Sequence, residues 1–138
     1  MELLRKKENP INVINESTFS SWNSTEVKLP ITGTQVLFFI SLHCTHCIDL
    51  TPSLSEIKQE FTNIDFVLFS TGDNEDNQEM SKYFNWEFPV VHLNQSGMEL
   101  QFGINRLPYM ILVVDGNIIL SGVVYNKSDF SQLVTTRT

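Results

Sequence analysis

Apolar residues fall in short blocks separated by turn formers, and the blocks alternate between two periods. Val36-Leu37-Phe38-Phe39-Ile40 is continuously apolar, the pattern of a strand covered on both faces, and predicts a strand over 35–41 opened by Gly33-Thr34. Leu50, Leu54, Ile57 and Phe61 then recur at helical spacing, which predicts a helix from about Cys44, with Asn63 as its stop. Pro52 lies inside it and is expected to kink it. A second buried strand is read over 66–69. After the turn Thr71-Gly72-Asp73-Asn74 comes a helix over 75–84, capped by Asp73 or Asn74, with Met80, Tyr83 and Phe84 on its apolar face. A third strand follows over 89–93, then a short helix over 98–102 ending at Gly103. Residues 104–108 are a connector and 109–114 a fourth strand. Asp115-Gly116 is a hairpin signal, and 117–124 returns antiparallel. Asn126 or Ser128 caps a last helix carrying Phe130, Leu133 and Val134.

Strands alternating with helices predict an α/β fold: a mainly parallel central sheet, helices on both faces and an antiparallel edge hairpin. Residues before Gly33 are weakly patterned. Ile11, Val13 and Ile14 suggest a short strand. Residues 16–22 suggest a helical turn, with Phe19 and Trp22 on one face. Pro30 and Gly33 break the chain there, so 1–32 is read as an N-terminal extension packing on a domain of 33–138.

Composition narrows the function classes. At 138 residues the length suits one domain, and 41% hydrophobic residues with ten phenylalanines suffice for one core. The net charge of −7 argues against nucleic acid or an anionic membrane surface as partner. No apolar run approaches the ~20 residues of a membrane span. The basic start, Arg5-Lys6-Lys7, has no apolar stretch after it. As written, the chain is therefore expected to be cytoplasmic. A chain trimmed of an anchor would read the same and would work outside the cytoplasm.

The chemistry concentrates in Ser41-Leu42-His43-Cys44-Thr45-His46-Cys47. It holds both cysteines of the protein and two of its three histidines, between the first confident strand and the helix. With no other cysteine there is no disulfide framework, so the pair is either reactive or metal-binding.

The order of features resembles the thioredoxin superfamily. A buried strand ends at Cys44-Thr45-His46-Cys47, and Pro52 lies five residues after the second cysteine. Phe102-Gly103-Ile104-Asn105-Arg106-Leu107-Pro108 is similar to that family's aromatic-Gly-Ile segment running into its cis-proline. A strand, the Asp115-Gly116 hairpin and a helix follow. The likeness covers about 33–136 and implies a thioredoxin fold. The interval between Cys44 and Pro108 exceeds that of plain thioredoxin by one helix-strand unit, about 74–93. This insertion resembles the thiol-disulfide oxidoreductases of the TlpA/ResA group. Within that group the nearest likeness is to the accessory thioredoxin-like proteins of methylamine dehydrogenase maturation. It rests on Phe69-Ser70-Thr71-Gly72-Asp73, on Gly97-Met98 ahead of Leu107-Pro108-Tyr109, and on Gly122-Val123-Val124-Tyr125-Asn126.

Cys44 is then the expected nucleophile. At a helix N-terminus its sulfur meets unsatisfied N–H groups and the positive end of the helix dipole, and both favour thiolate over thiol. Cys47, one turn further in, would resolve the mixed disulfide. His46 and Thr45, between them, are the candidates for tuning. His46 can donate a hydrogen bond or a charge that stabilises the Cys44 thiolate, which makes the couple a stronger oxidant. The strongly oxidising periplasmic oxidase of the superfamily also has His before its second cysteine, so the expected direction is disulfide donation. Leu107 and Pro108 are the expected substrate-binding pair. If cis, Pro108 would sit across from the disulfide and leave neighbouring backbone to pair with an extended substrate.

Two familiar acids are missing. Phe38 stands six residues before Cys44, where thioredoxin has a buried acid. Leu50 stands six after it, where the TlpA/ResA group often has Glu. Asp49 is one residue off and reads as a solvated helix position, and His43 as an exposed loop residue. The expected function is thiol-disulfide exchange with protein or peptide substrates, in maturation of a specific client such as an amine dehydrogenase or a bacteriocin-type peptide. A redox partner would recycle the disulfide. No cofactor or metal is called for, and a monomer is expected. The alternatives are a thioredoxin-fold copper chaperone, with His43, Cys44, His46 and Cys47 or a distant His92 as candidate ligands, and a redox-inactive docking domain.

Overall fold

The computed structural model describes residues 13–137. It is built around β3 (Thr34–Ile40), whose residues from Gln35 onward are all buried. Side chains alternate across a strand, so Val36, Phe38 and Ile40 enter one apolar cluster while Leu37 and Phe39 enter a second on the opposite face. This two-sided burial is why the segment reads as an unbroken apolar run rather than an alternating one.

The central sheet has the order β5-β4-β3-β6-β7. Its other strands are β4 (Asp65–Ser70), β5 (Val90–His92), β6 (Tyr109–Val114) and β7 (Asn117–Val123). β3 pairs parallel with β4, and β4 with β5, whereas β6 is antiparallel to both β3 and β7. β6 alone is therefore reversed, and the sheet is mainly parallel by strand direction but evenly mixed by pairing. This is the thioredoxin fold. Asp115 and Gly116 both take positive φ, 50° and 86°, which is the two-residue turn that lets β6 and β7 pair.

One face of the sheet is covered by α1 (Thr45–Glu60), α2 (Asn74–Phe84) and α4 (Lys127–Arg137), which bring Leu50, Leu54, Ile57 and Phe130 onto Phe38 and Phe66. α3 (Gln95–Phe102) covers the other face with Met98 and Phe102. Phe102 meets Phe39 and Phe69 at ring-centroid distances of 5.0 and 5.1 Å. The helix-strand insertion expected at about 74–93 is present as α2 and β5. A capping box starts α2: Asp73 accepts from the Asp76 amide and Asp76 returns the bond.

Two expectations need correction. Residues 16–22 form no helical turn. Ser17–Ser20 is β1, paired antiparallel with β2 (Glu26–Leu29). The Phe19–Trp22 spacing suggested a helix, but Phe19 packs on Phe69 from a strand, at 5.1 Å, while Trp22 belongs to the cluster on the other face. Tyr83 is not on the apolar face of α2. It is 82% exposed, and the buried positions of that helix are the polar Asn77 and Ser81. α1 continues as helix on both sides of Pro52. The Ile48 carbonyl, which Pro52 cannot serve, accepts the Thr51 hydroxyl at 2.7 Å instead. Of the strand suggested at Ile11, Val13 and Ile14, Ile11 lies outside the described residues. Val13 makes a single antiparallel bridge to Asn117, and the Ile14 amide donates to the Gly116 carbonyl.

β5 is an edge strand, and the segment after β1 closes it. Ser21 Oγ donates to the Val90 carbonyl at 3.2 Å and accepts the Val90 amide at 3.1 Å, while the Trp22 amide donates to the same carbonyl at 3.1 Å. Ser21 is buried, so Ser21→Ala leaves the Val90 N–H without a partner. The variant is expected to lose about 1–3 kcal/mol in urea unfolding. A loss of only a few tenths would show that water reaches this edge and that Ser21 does not close it.

Candidate functional site

The site forms where two parallel strands end side by side. β3 and β4 are in register to Ile40 opposite Ser70, so the loops that follow, 41–43 and 71–73, are neighbours. Thr71 Oγ1 accepts the Leu42 amide at 2.9 Å, and the Thr71 amide donates to the Ile40 carbonyl at 3.3 Å. Within the first loop, Ser41 Oγ accepts the His43 amide and the Ser41 carbonyl accepts the Cys44 amide. Gly72 admits Leu42 directly against its backbone: a Cβ there would stand 2.8 Å from Leu42 Cδ1 and 2.9 Å from Asp76 Cβ. The Gly72 carbonyl is held by Asn77 Nδ2 at 3.1 Å and His92 Nδ1 at 2.8 Å. His92 is thus a donor that fixes this second loop, and its Nδ1 carries the proton.

So clamped, the chain turns into α1 with Cys44 as the N-cap. Cys44 Sγ accepts the Cys47 amide at 3.2 Å, so the sulfur stands where a capping oxygen normally does. The first turn of α1 holds no acidic residue to compete for its N–H groups. Cys44 is half-buried. Cys47, one turn further in, is fully buried against the cluster of Phe38 and Leu50. Burial, and next the hydrogen bond with Cys44, push the Cys47 thiol up from 9.0 to about 12, against a partly offsetting backbone hydrogen bond at Ser41.

The Leu107–Pro108 peptide is cis, and the Leu107 carbonyl lies 3.9 Å from Cys44 Sγ. Sequence positions 63 residues apart thus meet at one sulfur. Pro108 is buried, and its carbonyl accepts the Val124 amide at 3.4 Å. Cys44, Cys47, Leu107 and Pro108 are therefore brought together. Thr45 is exposed in the first turn of α1, and His43 is exposed in the loop before it. His46 is also exposed. Its ring meets Tyr125 at 5.0 Å and 64°, beyond the end of β7. Phe38 and Leu50 are apolar core residues, and Asp49 is exposed. Among the described residues, no group of three or more His, Cys, Asp and Glu is placed to hold a metal ion, and no helix is long and apolar enough to cross a membrane.

Ser41, Thr71, Gly72 and Tyr125 contribute to the site although none of them was assigned a role there from the sequence alone. For Thr71 and Gly72 a signal existed: a turn after a buried strand lies beside the motif whenever the two strands pair in parallel. Tyr125 carried no such signal.

With this geometry in hand, known families give a direct match. Residues 34–119 match the model of the family described as thioredoxin-like. The chain belongs to the thioredoxin-like family. No curated protein sequence matches it. Among solved structures, it is similar to a thiol:disulfide interchange protein DsbE from Chlorobium tepidum, at 16% identity and a TM-score of 0.75 over 91% of this chain and 95% of that one. It is also similar to DsbF from Mycobacterium tuberculosis, at 16% identity and a TM-score of 0.73 over 88% and 95%. Peroxidoxin BcpB from the same organism superposes as well, at 14% identity and a TM-score of 0.74 over 91% and 94%. At such identities the likeness is one of fold, and this thioredoxin-like protein's chemistry has to be argued from its own site.

The position of Cys47 makes a testable point about pH. Between its ordinary value of 9.0 and about 12, the unfolded chain gives up a thiol proton that the folded chain keeps, so folding stability of the reduced protein falls as pH rises through that window. Cys47→Ala lacks this contribution. The stability difference between wild type and variant is expected to shift steadily against wild type across the window in urea unfolding at stepped pH. A constant difference would mean that Cys47 titrates as in the unfolded chain.

Proposed function

We propose that this protein is a thiol-disulfide oxidoreductase that exchanges a Cys44–Cys47 disulfide with thiols of a protein or peptide client, working mainly as a disulfide donor. The observation that carries the reading is the capping sulfur: Cys44 is half-exposed at the start of α1, with its resolving partner buried one turn behind.

In the donating direction, a client thiolate attacks Cys44 Sγ of the disulfide. The S–S bond to Cys47 breaks, Cys47 leaves with the electron pair and takes a proton, and a Cys44–client disulfide forms. A second client thiolate then displaces Cys44, which departs onto the N–H groups of the first helical turn. The client is oxidised by two electrons, and Cys44 and Cys47 are reduced. A separate redox partner must restore the disulfide. Donation returns a proton to Cys47, whereas reduction of a client requires Cys47 to lose one. Burial favours the protonated form, and Phe38 and Leu50 offer no carboxylate beside it. This asymmetry supports the donor direction, as does His46 ahead of the second cysteine. The Leu107 carbonyl beside Cys44 supports docking of an extended client segment along the 107–108 backbone. A dedicated client such as an amine dehydrogenase is supported by the likeness of 69–73 and 122–126 to proteins of methylamine dehydrogenase maturation, and a bacteriocin-type peptide is the other candidate class of client.

Equilibration with glutathione tests this. Wild type is expected to show a potential above that of thioredoxin, and His46→Ala a fall of roughly 30 mV or more, about tenfold in the equilibrium constant. Cys44→Ser should abolish exchange, while Cys47→Ser should accumulate the mixed disulfide with a client peptide. A thioredoxin-like potential unmoved by His46→Ala would overturn the donor assignment. Exchange surviving Cys44→Ser would overturn the whole reading.

A further inference from the structure

A shallow groove of about 520 Å³ opens beside the motif, lined by Val123 and Tyr125 from the end of β7 and by Asp129, Gln132 and Leu133 of α4. We propose that it is a client subsite that receives a basic side chain, arginine or lysine, adjoining the client's reactive cysteine. This rests on the oxidoreductase reading and adds the class of sequence that the site prefers.

Continuity with the reactive site is the first support. Tyr125, a wall of the groove, touches His46, which lies between the two cysteines. The Val124 amide also donates to the Pro108 carbonyl at 3.4 Å, so the β7 wall of the groove adjoins the 107–108 backbone along which an extended client would dock. The second support is that the groove is built rather than accidental. The Tyr125 amide donates to Asp129 Oδ2 at 3.0 Å, and Asn126 Oδ1 accepts the Asp129 amide at 2.9 Å, so the start of α4 fixes both Tyr125 and Asp129. Leu133 of α4 lies over Gly122 of β7. Tyr125 remains 46% exposed although it is a large aromatic.

The lining selects the occupant. Val123, Leu133 and the Tyr125 ring match the aliphatic stem of a long side chain, and an aromatic ring also attracts a cation. Asp129 accepts the Tyr125 amide through Oδ2 and is, among the described residues, the one acidic residue lining the groove, so its carboxylate supplies the negative charge that a cationic head would meet. The neighbouring Lys127 does not neutralise it, because its ammonium pairs with Glu60 at 2.9 Å. The net charge of −7 adds attraction for a basic client over a longer range.

The test uses the full chain, oxidised to the Cys44–Cys47 disulfide, and short peptides with one cysteine flanked on either side by Arg, Leu or Glu. Exchange rates are read by quenched-flow mass spectrometry at low salt. With wild type, an Arg peptide should react about fivefold faster than its Glu counterpart. Asp129→Asn, which keeps the acceptor for the Tyr125 amide, should reduce that ratio below about twofold, as should about 0.5 M salt. The rate with dithiothreitol should be the same in both proteins. Equal rates for Arg and Glu peptides, a Leu peptide outpacing Arg, or a preference that survives in Asp129→Asn would each overturn the subsite. No exchange even with dithiothreitol would instead overturn the oxidoreductase reading itself.

Discussion

The hydrogen bond from the Cys47 amide to the Cys44 sulfur ties the fold to its chemistry. A helix leaves its first N–H groups without partners, and here one of them is satisfied by a thiol instead of a hydroxyl or carboxylate. That bond requires Cys44 to sit at the N-cap, which requires loop 41–43 to end in one place. The loop is held by Thr71 and by Leu42 lying on Gly72. Those contacts in turn require β3 and β4 to stop in register, which two-sided burial of β3 enforces. Each layer removes freedom from the one above it, until a single sulfur is left half-exposed at the helix start.

Much of this was legible in the residues. The continuous apolar run of β3, the spacing of Leu50, Leu54 and Ile57, the Asp115-Gly116 turn and the two cysteines all carry their structural meaning locally. Leu107 and Pro108 were legible only through the order of motifs, because their contact with Cys44 spans most of the domain. The hairpin β1–β2 was not legible: its strands are four residues each and mix Ser, Thr, Glu and Lys with few apolar positions, so neither period stands out. Tyr83 was misplaced because α2 is anchored by the buried polar residues Asn77 and Ser81, which hydrophobic spacing ignores. The partner that the Ile48 carbonyl finds opposite Pro52, the Thr51 hydroxyl, was not legible either.

The same backbone superposes on interchange proteins and on a peroxidoxin. What distinguishes chemistries on one such frame is local: which atoms surround the attacking sulfur and where a proton goes when a bond breaks. Here the floor beneath Cys47 is phenylalanine and leucine, so burial favours the protonated inner thiol, while Cys44 is left half-exposed. Direction of electron flow is then a property of a few side chains rather than of the architecture that holds them.

The link from Ser21 to Val90, together with the bridge from Val13 to Asn117, also orders events in time. Residues near 13 and 21 are synthesised well before the partners that they pair with, 69 positions later in one case. The earliest stretch of the described chain must therefore wait on the ribosome, with Phe19, Val27 and Leu29 lacking the surface that they later cover. Such high sequence separation slows folding and prolongs exposure of sticky surface.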